Sequence, residues 1–177
     1  GAVGLNLLVG YTGQISVGHG AFMSVGAYTA ANLVTRLDAP FWIALPAGGR
    51  MAAAVGAIVG VPSLRIKGLY LAIATLAGQL IIEWTINHVT WISGGVQASI
   101  EVPRPQLFGF RIAAQREMYF FLLFFVVLAI VGSMNLVRSR IGRAFIAIRD
   151  HDIAAEIIGI NIFRYKLLAF AISSFYA

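Results

Sequence analysis

Residues 118–137, MYFFLLFFVVLAIVGSMNLV, run directly into residues 138–166, RSRIGRAFIAIRDHDIAAEIIGINIFRYK, and a second apolar run follows from Leu167. The first block has the length a helix needs to cross a hydrocarbon core of ~30 Å, about 20 residues at ~1.5 Å each. The second block carries Arg138, Arg140, Arg143, Arg149, Arg164 and Lys166, too many charges to lie in lipid. Residues 143–158 contain neither Pro nor Gly, and Gly159 followed by Asn161 supplies stop chemistry, so the spacing predicts one short helix there. A charged, glycine-terminated helix hung between membrane spans is what a permease would present to a soluble motor. A solvated connector whose arginines only set topology is the plainer reading of the same residues.

Composition places the rest of the chain in the same setting. Of 177 residues 59% are hydrophobic and 11% charged, with mean hydropathy +0.85, which excludes an ordinary soluble domain. The apolar residues come in runs of helix-spanning length without sustained strand alternation, which excludes a barrel. The fold class is therefore all-α, a polytopic transmembrane helix bundle. Further runs at 1–9 (partial), 21–35, 41–61 and 68–87 join 118–137 and the partial run from 167 to give four full spans and two partial ones. They form a single transmembrane domain over residues 1–177, expected to be a fragment of a longer polypeptide. No signal peptide is recognisable. The absence of cysteine removes disulfides, thiolate metal sites and Cys nucleophiles from these residues.

Orientation follows the Lys and Arg bias. Arg65 and Lys67 in one connector join the six basic residues of 138–166 on one side, against Arg36, Arg104, Arg111 and Arg116 on the other. The richer side is expected to be cytoplasmic, making 138–166 a cytoplasmic loop. Phe41, Trp42, Trp84 and Trp91 mark helix ends on the outer side. Arg50 falls about ten residues into a span of ~20; snorkelling, a partner helix and a displaced boundary all fit it. The net charge of +6 is concentrated in membrane-flanking loops, so topology accounts for it without nucleic acid. The outer stretch 88–117, with Ser93-Gly94-Gly95 and Pro103-Arg104-Pro105, has turn chemistry and is a candidate docking surface.

One polar segment interrupts the apolar pattern, GYTGQISVGHG at residues 10–20. Gly10, Tyr11, Gly13, Gln14, Ser16, Gly18 and His19 are its candidate functional positions. Non-helical backbone at membrane depth survives only where protein or a water-filled cavity satisfies it, so one reading is a broken helix lining a translocation path. The other is a tight inner-side loop, and its glycines also suit close helix packing. His19 alone is no metal site, since His88 and His151 fall on opposite faces of the membrane. Glu83 is the one acidic residue inside the expected spans, a candidate for path or gate. Its neighbour Trp84 argues for an interfacial position instead.

Within 138–166, Asp150, Asp152 and Glu156 give an acidic face, while Ala154 and Ala155 keep one surface narrow enough for close docking. Ala154-Ala155-x-x-x-Gly159 resembles the EAA-type coupling loop of bacterial ABC importer permeases, with Ile153 where that motif has Glu and Asp152 just ahead. Joined to GLNLLVGYTGQISVGHGAF (4–22), GAYTAA (26–31), LRIKGLYLAIATLA (64–77) and RSRIGRAFIAIRDHDIAAEIIGINIFRYKLLAF (138–170), it is similar to the LivM-type permeases of branched-chain amino acid importers across essentially the whole chain. That resemblance implies a multi-pass subunit of the bacterial inner membrane, surrounded by lipid. Its partners would be a homologous LivH-type permease subunit, two cytoplasmic ABC ATPase subunits and a periplasmic substrate-binding protein. Arg149, Asp150, Asp152, Ala154, Ala155, Glu156 and Gly159 would couple it to the ATPases. Gly48-Gly49-Arg50 departs from a stretch that is usually aliphatic in such permeases, and Ser93-Gly94-Gly95-Val96-Gln97 matches the family's outer turn only loosely. Urea and short-amide permeases share the architecture, so they are the alternative cargo.

Other function classes lack their chemistry. No G-x-x-x-x-G-K-[ST] occurs, so ATP would be used by partner subunits and this chain would bind no cofactor and catalyse nothing. An ion-coupled secondary transporter would more often show coupling carboxylates or an inverted repeat, and Glu83 stands alone. Three histidines and seven carboxylates are too scattered for a membrane-embedded enzyme or a metal site.

Overall fold

The computed structural model describes residues 1–63, 69–89, 106–107, 110–111 and 115–177. Long apolar stretches free of turn residues become helices. The order is α1 (Ala2–Asn6), continued as a wider π-wound turn over Leu7–Tyr11, then α2 (His19–Leu37), α3 (Phe41–Ser63) and α4 (Leu69–His88). A two-residue antiparallel pairing follows, β1 (Gln106–Leu107) with β2 (Phe110–Arg111). The chain continues as α5 (Gln115–Arg138), α6 (Arg140–Asp150), α7 (Asp152–Ile157) and α8 (Ile162–Phe175). Helices α2, α3, α4 and α5, of 19, 23, 20 and 24 residues, take the places of the four expected full spans. Phe41–Pro62 and Arg116–Arg138 are long and apolar enough to cross a membrane. The last helix starts at Ile162, five residues ahead of the apolar run, because Asn161 caps it by accepting the Arg164 N–H at 3.1 Å. The connector with Arg65 and Lys67, Trp91, and the turns Ser93-Gly94-Gly95 and Pro103-Arg104-Pro105 lie outside the described residues.

Small residues decide how the spans meet. A Cβ on Gly48 would stand 2.7 Å from the Gly26 carbonyl, so α2 and α3 cross with backbones nearly touching. Gly49, on the adjacent flank of α3, receives the Phe175 ring, while Gly56 and Gly60 further along receive Ser174 and Phe170. Helix α8 therefore runs antiparallel to α3 along a glycine groove. The Gly48-Gly49-Arg50 interruption is thus a packing notch cut for two neighbours at once, with the helix unbroken and Arg50 exposed.

The core is small and aromatic: Leu8, Phe22, Phe145, Ala169 and Phe170 are buried together, with Phe22 edge-on to Phe170 at 6.5 Å. It joins the first turns of the chain, α2, α6 and α8. Helix α5 stands apart from it, held at one end where Phe121 and Phe125 meet Phe41 and Trp42 at 5.6–6.3 Å and at the other where Gly132 receives the Tyr176 hydroxyl. The remaining apolar surface of α5 faces outward, as expected of a lipid- or partner-facing span.

Candidate functional site

The segment 10–20 is built by a helix that ends and turns back. The π-wound turn closes at Gly13, whose φ of +66° suits glycine; the Gly13 and Gln14 amides donate to Val9 and Leu8 carbonyls, each at 3.2 Å. The Thr12 hydroxyl donates to the Leu8 carbonyl at 2.6 Å and accepts from Gln14 Nε2 at 3.0 Å. From Gly13 to Gly18 the chain is a non-helical strand whose residues alternate in burial. Thr12, Gln14, Ser16 and Gly18 are buried, whereas Gly13, Ile15 and Val17 are exposed. The polarity is the reverse of a soluble strand, with polar side chains inward and apolar ones outward.

Helix α4 anchors this strand. The Val17 N–H donates to Thr75 Oγ1 at 3.1 Å, and a Cβ on Gly18 would collide with the Thr75 carbonyl. Thr75 lies six residues into α4, about 9 Å from its start. The segment therefore turns at Thr12–Gly13 and then runs non-helically back along the first two turns of α4. His19 opens α2, buried and edge-on to Phe22 at 6.2 Å. Gln14 Oε1, Ser16 Oγ and both His19 ring nitrogens have no hydrogen-bond partner among the described residues. Tyr11 packs on the core, and Gly10 lends its carbonyl to a residue 139 positions away.

That residue is Arg149. Its Nη1 donates to the Gly10 carbonyl at 2.9 Å while Nη2 and Nε reach Asp150 Oδ1 at 2.9 and 3.0 Å. Its Cγ would also be 3.2 Å from a Cβ on Gly13. The charged loop and the polar segment, far apart in sequence, are one site. Arg149 is thus turned toward the first helix of its own chain.

The predicted single helix over 143–158 is two. Ser139 caps α6, its Oγ accepting the Ile141 and Gly142 amides at 3.2 and 3.5 Å, so the helix begins earlier. It breaks at His151, which is extended at φ −152° and ψ 96°. Asp150, His151 and Asp152 are all poor helix-interior residues, and Asp152 suits the first turn of a new helix. The amphipathic face of α6 buries Ala144, Phe145 and Ile148; the joint then redirects the chain so that Ala155 also points inward, 2% exposed. The narrow Ala154-Ala155 surface is accordingly divided: Ala154 faces out and Ala155 seats α7 on its own protein. What α7 presents outward is Ile153, Ile157 and Ile158, 71–81% exposed. Gly159, at φ +88°, ends the helix: its amide bonds Glu156 and the Ile160 amide bonds Ala155, both at 3.0 Å. Asp152 and Glu156 border an open cleft of ≈ 530 Å³ that Lys166 also lines.

Glu83 sits half-buried on α4, accepting from Gln79 Nε2 at 2.8 Å, one turn short of a His88 ring stacked on Trp84 at 4.2 Å. It is therefore toward the C-terminal end of α4, with Gln79 between it and Gly20. No group of three or more metal-ligating side chains occurs among the described residues. Two contributors were not read from the sequence. Thr75 was hidden in an apolar run, and the outward isoleucines needed the 153, 157 spacing to be weighed against Ala155 on the opposite face.

Known proteins supply the remaining comparison. The sequence profile of the family described as branched-chain amino acid transport system, permease component, matches residues 1–177. Over 198 aligned residues the chain is 36% identical to the high-affinity branched-chain amino acid transport system permease protein LivM of Escherichia coli (strain K12). It is 35% identical over 198 residues to the protein of the same description from Salmonella typhimurium. Each alignment covers 99% of this chain and 47% of the relative, so the chain spans about half the length of the curated relatives it matches. No solved structure matches it.

Proposed function

The chain belongs to the branched-chain amino acid transport permease family, and on that premise we propose that it is the coupling-loop half of a permease subunit in an ATP-driven importer. The cargo is a branched-chain amino acid, delivered by a periplasmic binding protein to a bacterial inner-membrane complex of this subunit, a homologous second permease and two ABC ATPases. The observation that carries the reading is α7: a short helix set off by a one-residue joint, exposing three isoleucines with Asp152 and Glu156 alongside. Solvent-facing isoleucines on a charged cytoplasmic element are costly unless a partner covers them. An ATPase groove lined by apolar residues with a basic rim would do so.

Arg149 supports the same reading from the inside. It ties the base of this element to Gly10, so movement of the docked helix is passed to the start of the polar segment. Residues 10–20 then border the passage, with 13–18 as non-helical backbone packed between helices, the kind that lines a cavity within a membrane protein. The test is leucine-stimulated ATP hydrolysis by the full-length permease reconstituted with its second permease, ATPases and binding protein. Ile157→Asp is expected to lower ATPase co-purification at least about tenfold, the loss of one apolar anchor. Full co-purification with the substitution, or no leucine stimulation of the wild-type complex, refutes the proposal.

A further inference from the structure

We infer that the outward edge of the strand at 13–18, made by Ile15 and Val17 with the backbone between them, is the surface that meets the transported solute. Its polar residues, Gln14 and Ser16, do not touch it. The inference rests on the importer reading and assigns the contact within it. Three observations carry it. Exposure alternates residue by residue, with Ile15 at 45% and Val17 at 54% against Gln14 at 3% and Ser16 at 6%. Among the described residues, no hydrogen bond reaches the amide or carbonyl of Ile15 or Ser16, and Val17 uses only its amide, on Thr75. The strand also lies beside the second turn of α4, about 9 Å along a helix that the importer reading takes as a span.

These facts exclude ordinary coverings by elimination. Lipid tails would suit Ile15 and Val17 but leave four backbone polar groups of residues 15 and 16 unsatisfied, which hydrocarbon does not tolerate. An apolar helix packed on the edge would leave the same groups unsatisfied. What suits both halves of the surface is water exchanging with a small solute that is itself half apolar and half charged. An aliphatic amino acid is of that class: its branched side chain matches Ile15 and Val17, and its ammonium and carboxylate match free carbonyls and amides. The inward side chains then have a separate task, holding the strand against α4 and the core.

The chain contains no cysteine, so single thiols can be placed in this segment without background from it. Ile15→Cys, Ser16→Cys and Val17→Cys would be made in the full-length permease, assembled with its partners in membrane vesicles. Each would be treated with a small cationic methanethiosulfonate reagent. A thiol reacts as the hydrated thiolate, so the variants at 15 and 17 are expected to react at least about tenfold faster than the one at 16. Leucine is expected to slow them. Ile15→Ala and Val17→Ala are a second measurement, expected to raise the KM for leucine relative to alanine-sized substrates while ATPase assembly is kept. Equal or faster reaction at 16, or no reaction at 15 and 17, overturns the assignment. Leucine-stimulated ATP hydrolysis in the same vesicles separates that failure from failure of the importer reading.

Discussion

Replacing Gly18 with Ala tests the packing that places the strand at depth. Its φ of −80° is open to any residue, so backbone strain contributes nothing; the whole effect comes from the methyl group meeting the Thr75 carbonyl oxygen and, at 2.9 Å, its carbon. Those are main-chain atoms inside α4 and cannot rotate aside, so strand and helix must separate. Overpacking of this kind costs about 1–3 kcal/mol. Separation also breaks the 3.1 Å bond from Val17 to Thr75, and a buried donor left without a partner adds about 1–3 kcal/mol. Ala recovers roughly 0.4–1 kcal/mol through the less flexible unfolded chain. The net is about 1–5 kcal/mol of destabilisation from those three contributions. Gly20→Ala is the control: its Cβ would meet nothing closer than Gln79 at 3.8 Å, so it should be neutral or more stable by up to about 1 kcal/mol. Thermal unfolding of the purified full-length variants in detergent, with membrane abundance measured alongside, reads the difference. Unfolding midpoints that match for both variants would refute the close approach and, with it, the depth of the strand.

Three further outcomes are expected. Arg149→Ala should leave ATPase co-purification intact but raise the ATP hydrolysed per leucine transported, with Arg149→Lys partly restoring it; unchanged stoichiometry would show that the Gly10 bond transmits nothing. Gly159→Ala should cost about 1–2 kcal/mol, because φ +88° is a left-handed conformation that an L side chain resists, and should weaken ATPase binding by about 5–30-fold in a titration. Glu83→Ala should change leucine uptake little once normalised for membrane abundance, because Glu83 bonds Gln79 near the Trp84 end of α4; a large loss would place it on the path.

The spans were legible because length and apolarity alone set them: α3 and α4 begin and end within two residues of the expected 41–61 and 68–87. The element between spans was legible in position and in its Gly159 stop, but not in its break. Asp150-His151-Asp152 is weak helix sequence, but the break falls there because α6 is pinned through Phe145 and Ile148 while Ala155 also faces inward, a tertiary demand the local pattern does not carry. In the polar segment the residue types were legible but the faces were not: Gln14 and Ser16 are buried and Ile15 and Val17 exposed, an alternation that no side-chain pattern in the sequence announces. Gly48-Gly49, read as a disruption, turned out to be a fitting, since its partners Gly26 and Phe175 lie on helices far away in sequence.

His151 and Arg149 stand two residues apart and divide the work: one turns the chain, the other ties it. His151 is itself held on both sides, its amide donating to the Ala147 carbonyl and its carbonyl accepting from the Ala155 amide, so α7 is a bracket fixed to α6. A motion that drags α6 along its own axis loads the tether and arrives at Gly10, from which the chain passes to the strand. On the importer reading, one guanidinium is therefore the shortest link between the docked element and the polar segment.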